Sequence, residues 1–144
     1  MSVIPKEAEL RKIFPIAASA AALAAFVSGF AAGQHAAPIG DRLVEQNLLA
    51  TIDLGKTIGV NDRELRLSQA MVAPGGHIGL HSHEDDPTVV YVLSGLLANH
   101  HEDGTTEELR AGQAFAEFGT KSHWVENKGT APASFVFVSV SRRR

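Results

Sequence analysis

Short apolar segments with a period of two, separated by turn residues, dominate this chain from residue 64 onward. The segment 64–72 (ELRLSQAMV) alternates, which predicts one strand face formed by Leu65, Leu67, Gln69 and Met71. The segments 89–93 (VVYVL) and 135–140 (FVFVSV) are rich in β-branched and aromatic residues, as buried strands are. We therefore expect an all-β fold rather than a helical one.

Turn signals cut the same region into pieces of strand length. Residues 74–76 (PGG), 103–104 (DG) and 128–129 (KG) are typical of turns between strands. Between them we predict further short strands at residues 77–83, 96–101, 105–109, 114–117 and 122–125. Many short strands with turns roughly every 8–12 residues are typical of antiparallel sandwiches and barrels. The sequence thus predicts one β-domain, which we place at residues 34–144.

The first 33 residues have a different composition. Three basic residues, Lys6, Arg11 and Lys12, precede an uncharged apolar run at residues 13–32. A basic start, an apolar centre and small residues at the exit predict a secretory signal peptide. The same run is long enough for an uncleaved membrane anchor, or it could form an apolar helix that packs in front of the barrel. We expect a periplasmic or secreted protein, with a membrane-anchored protein as the alternative.

Composition excludes several classes of chemistry. The chain of 144 residues contains no cysteine, which excludes disulfides, thiolate catalysis and cysteine-based zinc sites. The formal net charge is -3, and no basic stripe runs along the sequence, so we expect no nucleic-acid partner. Seven histidines remain, and they are unevenly distributed.

Three of these histidines form a candidate metal site. His81 and His83 are two residues apart in a predicted strand, so their rings point to the same face. Two imidazoles on one face can bind one ion, and a third ligand must come from another strand. His123 begins such a strand segment and is the best candidate for this third ligand.

The wider pattern resembles the cupin superfamily, in particular its small bacterial single-domain members. Gly75 is followed after five residues by His81-x-His83, and the segment ends in YVLSG at residues 91–95. A second segment runs from Gly112 through His123 to Asn127. The resemblance implies an antiparallel jelly-roll barrel, also called a double-stranded β-helix. It also implies His81, His83 and His123 as metal ligands, and a homodimer.

The sequence departs from the cupin pattern at one ligand position. Most metal-binding cupins have a glutamate seven residues before the last glycine of the first motif, where this chain has Thr88. The site could then consist of three histidines and water, or take a carboxylate from elsewhere, or hold no metal. Glu117 is the candidate carboxylate, as a ligand or as a general base. Candidate pocket residues are Gln69, Met71, His77, Thr88 and Phe115.

The histidine pattern and the resemblance to cupins together predict a metal-dependent enzyme. We expect a dioxygenase-like oxidoreductase that acts on a small, oxygen-rich organic substrate bound at a three-histidine centre. Fe(II) is the expected ion, with manganese, nickel and zinc as alternatives. The competing interpretation is a non-catalytic module that binds a small molecule or a metal outside the cytoplasm.

Overall fold

The computed structural model describes residues 36–143, and these form an antiparallel β-structure with one short helix. The helix α1 is Leu54–Ile58. The strands are β1 (Arg42–Asp53), β2 (Arg63–Ser94), β3 (Leu96–His101), β4 (Thr106–Arg110), β5 (Ala114–Glu126) and β6 (Ala133–Arg142). The predicted all-β antiparallel class is confirmed.

Strand β2 is long and bent, and it closes the sheet around an interior. Its first half pairs with β1, its second half pairs with β5, and both halves pair with β6. Ser139 of β6 lies opposite Arg66 in the first half and opposite Thr88 in the second half. Because one strand is bonded on both sides to the same bent partner, the sheet curves into a barrel.

Irregular backbone inside the long strands replaces two of the predicted breaks. Residues 74–76 were predicted as a turn, but they lie within β2, where Gly75 has φ 72° and the pairing with β1 shifts register. Likewise β5 is one strand rather than two, with Gly119 at φ 85° in its middle. A β-bulge bends a strand without ending it, which sequence pattern alone does not distinguish from a turn.

The core lies on the inner face of the bent strand. Ala70 and Val72 in the first half of β2, and Val90 and Val92 in the second half, are buried. Their odd-numbered neighbours, such as Leu65 and Met71, belong to the other face. The alternation was therefore identified correctly, but the larger apolar residues lie outside and the smaller ones inside.

Strand β1 and helix α1 were not predicted. The helix is bounded by recognisable caps, because the Asp53 carboxylate accepts a hydrogen bond from the Lys56 amide and Gly59 ends it at φ 80°. The predicted signal peptide or anchor at residues 1–33, and the apolar helix that could form there, lie outside the described residues. Within residues 36–143 no helix is long and apolar enough to cross a membrane.

Candidate metal centre

His81, His83 and His123 meet on the inner wall of the barrel. His81 of β2 lies directly opposite His123 of β5, and His83 lies opposite Gly119. The ring centroid of His81 is 4.3 Å from that of His123 and 5.0 Å from that of His83. One ring nitrogen from each residue lies within 4.8 Å of the other two. Strand pairing thus joins His123 with two histidines that precede it by 40 and 42 residues in sequence.

Backbone carbonyls fix the rings of His81 and His83. The Nδ1 atom of His81 is 2.7 Å from the carbonyl oxygen of Gly79, and that of His83 is 3.0 Å from the carbonyl oxygen of Asp86. A carbonyl only accepts hydrogen bonds, so each Nδ1 carries a proton, and in the neutral ring each Nε2 presents a lone pair. This tautomer is the one that binds metals through Nε2.

His123 is fixed by a side chain that the sequence analysis missed. Its Nδ1 is 2.8 Å from Oδ1 of Asn99, which projects from β3 and is only 3% exposed. This bond places the proton of His123 on Nδ1 and leaves its Nε2 free. Asparagine in the middle of a strand carries no motif, and only the pairing of β3 with β5 reveals its role.

Two of the three Nε2 atoms show that the cluster suits a cation. The Nε2 atoms of His83 and His123 are buried, and in the neutral rings neither receives a hydrogen bond from a donor in the described part of the chain. That of His83 faces only a carboxylate oxygen of Glu117, which is itself an acceptor, at 3.1 Å. A buried polar atom without a partner costs about 1–3 kcal/mol, so native proteins seldom leave one. A divalent ion among the three histidines would satisfy both atoms. The residues present therefore fit a metal, which His81, His83 and His123 would hold.

Glu117 brings a carboxylate to the cluster from the strand opposite Thr88. The two residues are direct partners across the β2–β5 ladder. An oxygen of Glu117 is 3.1 Å from Nε2 of His83, and its other oxygen is 3.6 Å from Nδ1 of His123. Thr88 itself donates to the carbonyl oxygen of Asp86 at 2.8 Å. The carboxylate missing at position 88 thus has a counterpart on the neighbouring strand.

The electrostatics differ between the histidines. Burial, reinforced by the neighbouring histidines and only partly opposed by Glu117, lowers the pKa of His123 to about 4. Burial also acts to lower the pKa of His83, but the Glu117 carboxylate and Asp86 outweigh it, so that pKa is raised. If His83 is neutral, the lone pair of its Nε2 faces the anionic oxygen of Glu117, and the two repel each other. A cation between them, either a proton or a metal ion, removes this repulsion.

A cavity of about 350 Å³ opens at the histidines. Glu117, Thr88 and Phe115 line it, as do the three histidines. Much of the remaining wall is apolar and includes Val90, Leu97, Leu109, Val125, Phe135 and Phe137. A cleft of this size with a few polar groups at one place is typical of a small-molecule site.

Three of the expected pocket residues do not line this cavity. Gln69 and Met71 alternate with Ser68 and Ala70, which are buried, so they belong to the outer face. Small inner residues leave the cavity open, whereas long side chains would fill it. His77 is excluded for a different reason: the register shifts between Ile78 and His81, and this irregularity reverses the alternation.

Comparison with known proteins identifies the family. A family model described as "Cupin domain" matches residues 68–139, which is half of the chain. The chain is 31% identical over 67 residues to the "Oxalate-binding protein" of Thermotoga maritima, an alignment that covers 46% of this chain and 54% of that protein. The chain therefore spans about half the length of the curated relative it matches.

Solved structures show the same fold. The polyketide cyclase RemF from Streptomyces resistomycificus is 25% identical, with a TM-score of 0.58 over 74% of this chain and 71% of that one. A predicted oxalate decarboxylase from Thermotoga maritima is 21% identical, with a TM-score of 0.55 over 74% of this chain and 98% of that one. Together with the family match across the histidine cluster, these findings establish that the chain belongs to the cupin domain family.

Proposed function

We propose that this cupin is a metal-dependent, dioxygenase-like oxidoreductase that acts on a small organic molecule with adjacent oxygen atoms. Fe(II) is the ion we propose, with manganese, nickel and zinc as alternatives. The observation that carries the proposal is the convergence of three imidazole rings whose Nδ1 atoms are all occupied by acceptors. Their Nε2 lone pairs therefore point towards one another at the wall of a cavity.

The residues of the site would have three roles: the histidines hold the ion, Glu117 accepts a proton, and the apolar wall contacts the substrate. When bound, the ion would supply a Lewis-acidic, redox-active centre with positions open to small oxygen ligands. Glu117 lies beside the histidines and lines the cavity, so its carboxylate can accept the proton of a substrate hydroxyl. Phe115 and the apolar wall would exclude water from the substrate.

The test is metal content combined with oxygen consumption. Protein purified without a histidine tag would be loaded with each metal and offered enediols, diketones and flavonols under oxygen. We expect uptake in the wild type and in His77→Ala, which removes a histidine of the same strand outside the cavity. We expect none in His81→Ala. Metal-loaded protein that consumes no oxygen with any compound would contradict the oxidoreductase.

A non-catalytic binding module is the second candidate. The observation in its favour is the name of the Thermotoga maritima relative, an oxalate-binding protein, which describes binding rather than turnover. On this alternative a ligand would raise the midpoint of thermal unfolding of the metal-loaded protein while oxygen uptake stays absent. The same compound panel therefore separates the two functions.

Assembly and location complete the proposal. We propose a homodimer that packs through the outer face of β2, where Val89, Tyr91 and Leu93 project on one side and are exposed.

We also propose export from the cytoplasm, directed by residues 1–33. Sedimentation of the wild type and of Tyr91→Asp tests the dimer, and mass analysis of the N-terminus after expression tests the cleavage.

A further inference from the structure

We propose that the cavity selects an uncharged molecule with an aromatic body, and that it discriminates against oxalate-like dianions. The inference deepens the proposed function, because it concerns the substrate class of the same site. Its basis is the charge and the chemistry of the residues that line the cavity.

The charged residues of the wall are all acidic. Asp41, Asp86 and Glu117 line the cavity, and within residues 36–143 no lysine or arginine does. With the histidines neutral, the lining carries three formal negative charges. Binding of a divalent cation would reduce this to one net negative charge. A site that binds a small dianion normally supplies guanidinium or ammonium groups, which match carboxylates in charge and hydrogen-bond geometry.

Two arginines, at the start of β2 and at the end of β6, are engaged outside this wall. Arg63 donates to the carbonyl oxygen of Asp85 at 2.7 Å, and Arg142 donates to its carboxylate at 3.2 Å. Asp85 is not a lining residue. The Asp41 carboxylate accepts from the amide of Gly79 at 3.0 Å, which orders it without cancelling its charge. Asp41 and Asp86 are exposed and therefore screened by solvent, whereas the Glu117 side chain is only 13% exposed. An anionic ligand would therefore meet chiefly the charge of Glu117.

The uncharged part of the wall suits a ring. Phe115, Phe135 and Phe137 line the cavity, and the rings of Phe135 and Phe137 are 5.9 Å apart in a tilted arrangement. Aromatic side chains contact a flat apolar ligand over a large area. Oxalate has no apolar body and would leave most of the 350 Å³ unfilled. Volume and charge thus favour the same class of ligand.

The test compares two ligands that differ by a single charge. 2′-Hydroxyacetophenone and salicylate share an aromatic ring and a hydroxyl beside a carbonyl oxygen, but a methyl group in the first replaces the anionic oxygen of the second. Binding of both, and of oxalate, would be measured by calorimetry on apo and zinc-loaded protein. We expect the neutral ligand to bind at least about tenfold more tightly than either anion.

Glu117→Gln should reduce the ratio of the affinities for 2′-hydroxyacetophenone and salicylate by about tenfold, since it removes one negative charge from the wall. The matched control is Glu45→Gln, which removes an exposed carboxylate of β1 outside the cavity and should leave the ratio unchanged. Equal or tighter binding of salicylate, or a ratio that Glu117→Gln does not move, would overturn the inference. Metal analysis distinguishes failure of the proposed function from failure of this inference. If the metal site does not exist, the protein binds no zinc. The preference for the neutral ligand over the anions is still measurable in the apo protein.

Discussion

The barrel carries an inner cluster of three histidines and, on the other side of its wall, an outer cluster of polar and aromatic side chains around the single histidine His100; only the inner cluster suits a metal. In the inner cluster acceptors hold the Nδ1 atoms of His81, His83 and His123, and the three rings converge so that one nitrogen of each lies within 4.8 Å of the others. In the outer cluster the ring of His100 stacks on Trp124 at 4.0 Å, with its Nε2 2.7 Å from Glu126 and its Nδ1 3.0 Å from Thr106. Both ring nitrogens of His100 are occupied by protein groups.

The difference arises from one step along a strand. His123 and Trp124 are consecutive, so the alternation of β5 directs one side chain inward and the other outward. Asn99 and His100 alternate in the same way on β3. A histidine becomes a candidate ligand where an acceptor holds Nδ1 and the other ring nitrogen lies near the ring nitrogens of further histidines. The number of histidines in the sequence does not decide this.

Removing a histidine from each cluster gives the largest expected contrast. His123→Ala deletes one of three ligands and should weaken divalent-metal binding by more than about 100-fold, beyond the usual effect of changing an outer-shell partner. His100→Ala deletes a ring whose nitrogens are both engaged, so metal affinity should stay unchanged. Competition with a chelating dye measures both variants.

A comparable loss of affinity in both variants would contradict the division into two clusters. Circular dichroism should accompany the measurement, because His123 is only 5% exposed and its removal leaves a buried gap.

Asn99 allows a finer test of what prepares the inner cluster. Asn99→Leu removes the acceptor for Nδ1 of His123, so the ring can turn or change tautomer, and metal affinity should fall by about 10–100-fold. Asn99→Asp keeps an acceptor at this position and should retain most of the affinity. The dye competition applies again, and equal affinities of the two variants would refute the role of Asn99.

The sequence predicted the parts of the fold that depend on period and composition. The strands at 96–101 and 135–140 agree closely with β3 (Leu96–His101) and β6 (Ala133–Arg142). The bulges at Gly75 and Gly119 were not predictable, because a glycine of positive φ serves a turn and a bulge equally well. Strand β1 was missed because its apolar residues, such as Leu48 and Leu49, do not alternate and are exposed.

The site was predictable where it uses side chains in a motif. Spacing and family resemblance identified His81, His83 and His123, and the missing carboxylate suggested Glu117. The acceptors at Gly79 and Asp86 were not predictable, because they act through backbone carbonyls, which every residue possesses. Gln69 and Met71, which were expected in the pocket, do not line the cavity, since period alone does not say which face of a strand is inside.

Acid should destabilise the apo protein through His123, whereas the raised pKa of His83 acts in the opposite sense. The pKa of His123 is about 4 in the folded state against 6.5 for an ordinary histidine. Between these two pH values the unfolded chain binds a proton at His123 and the native state does not. The free energy of unfolding should therefore decrease as the pH falls from 6.5 towards 4. Urea unfolding at several pH values should show a smaller decrease in His123→Gln than in the wild type.

The outer cluster should give the smallest effect. Burial alone would raise the pKa of Glu126, but hydrogen bonds from Lys128 and His100 lower it below its ordinary value. The stabilisation is present at neutral pH and is lost as acid protonates the carboxylate. Glu126→Gln should cost about 1 kcal/mol or less in urea unfolding at pH 7, because such pairs lie near the surface. Metal affinity should not change; a weakened site would show that the clusters are coupled.

Nitrogen-15 NMR of the histidine rings during a zinc titration distinguishes the inner cluster from His100. We expect the Nε2 resonances of His81, His83 and His123 to shift together up to one molar equivalent, while their Nδ1 atoms stay protonated and His100 is unaffected. Coordination through Nδ1, a first response at His100, or unchanged resonances at one equivalent would contradict this expectation.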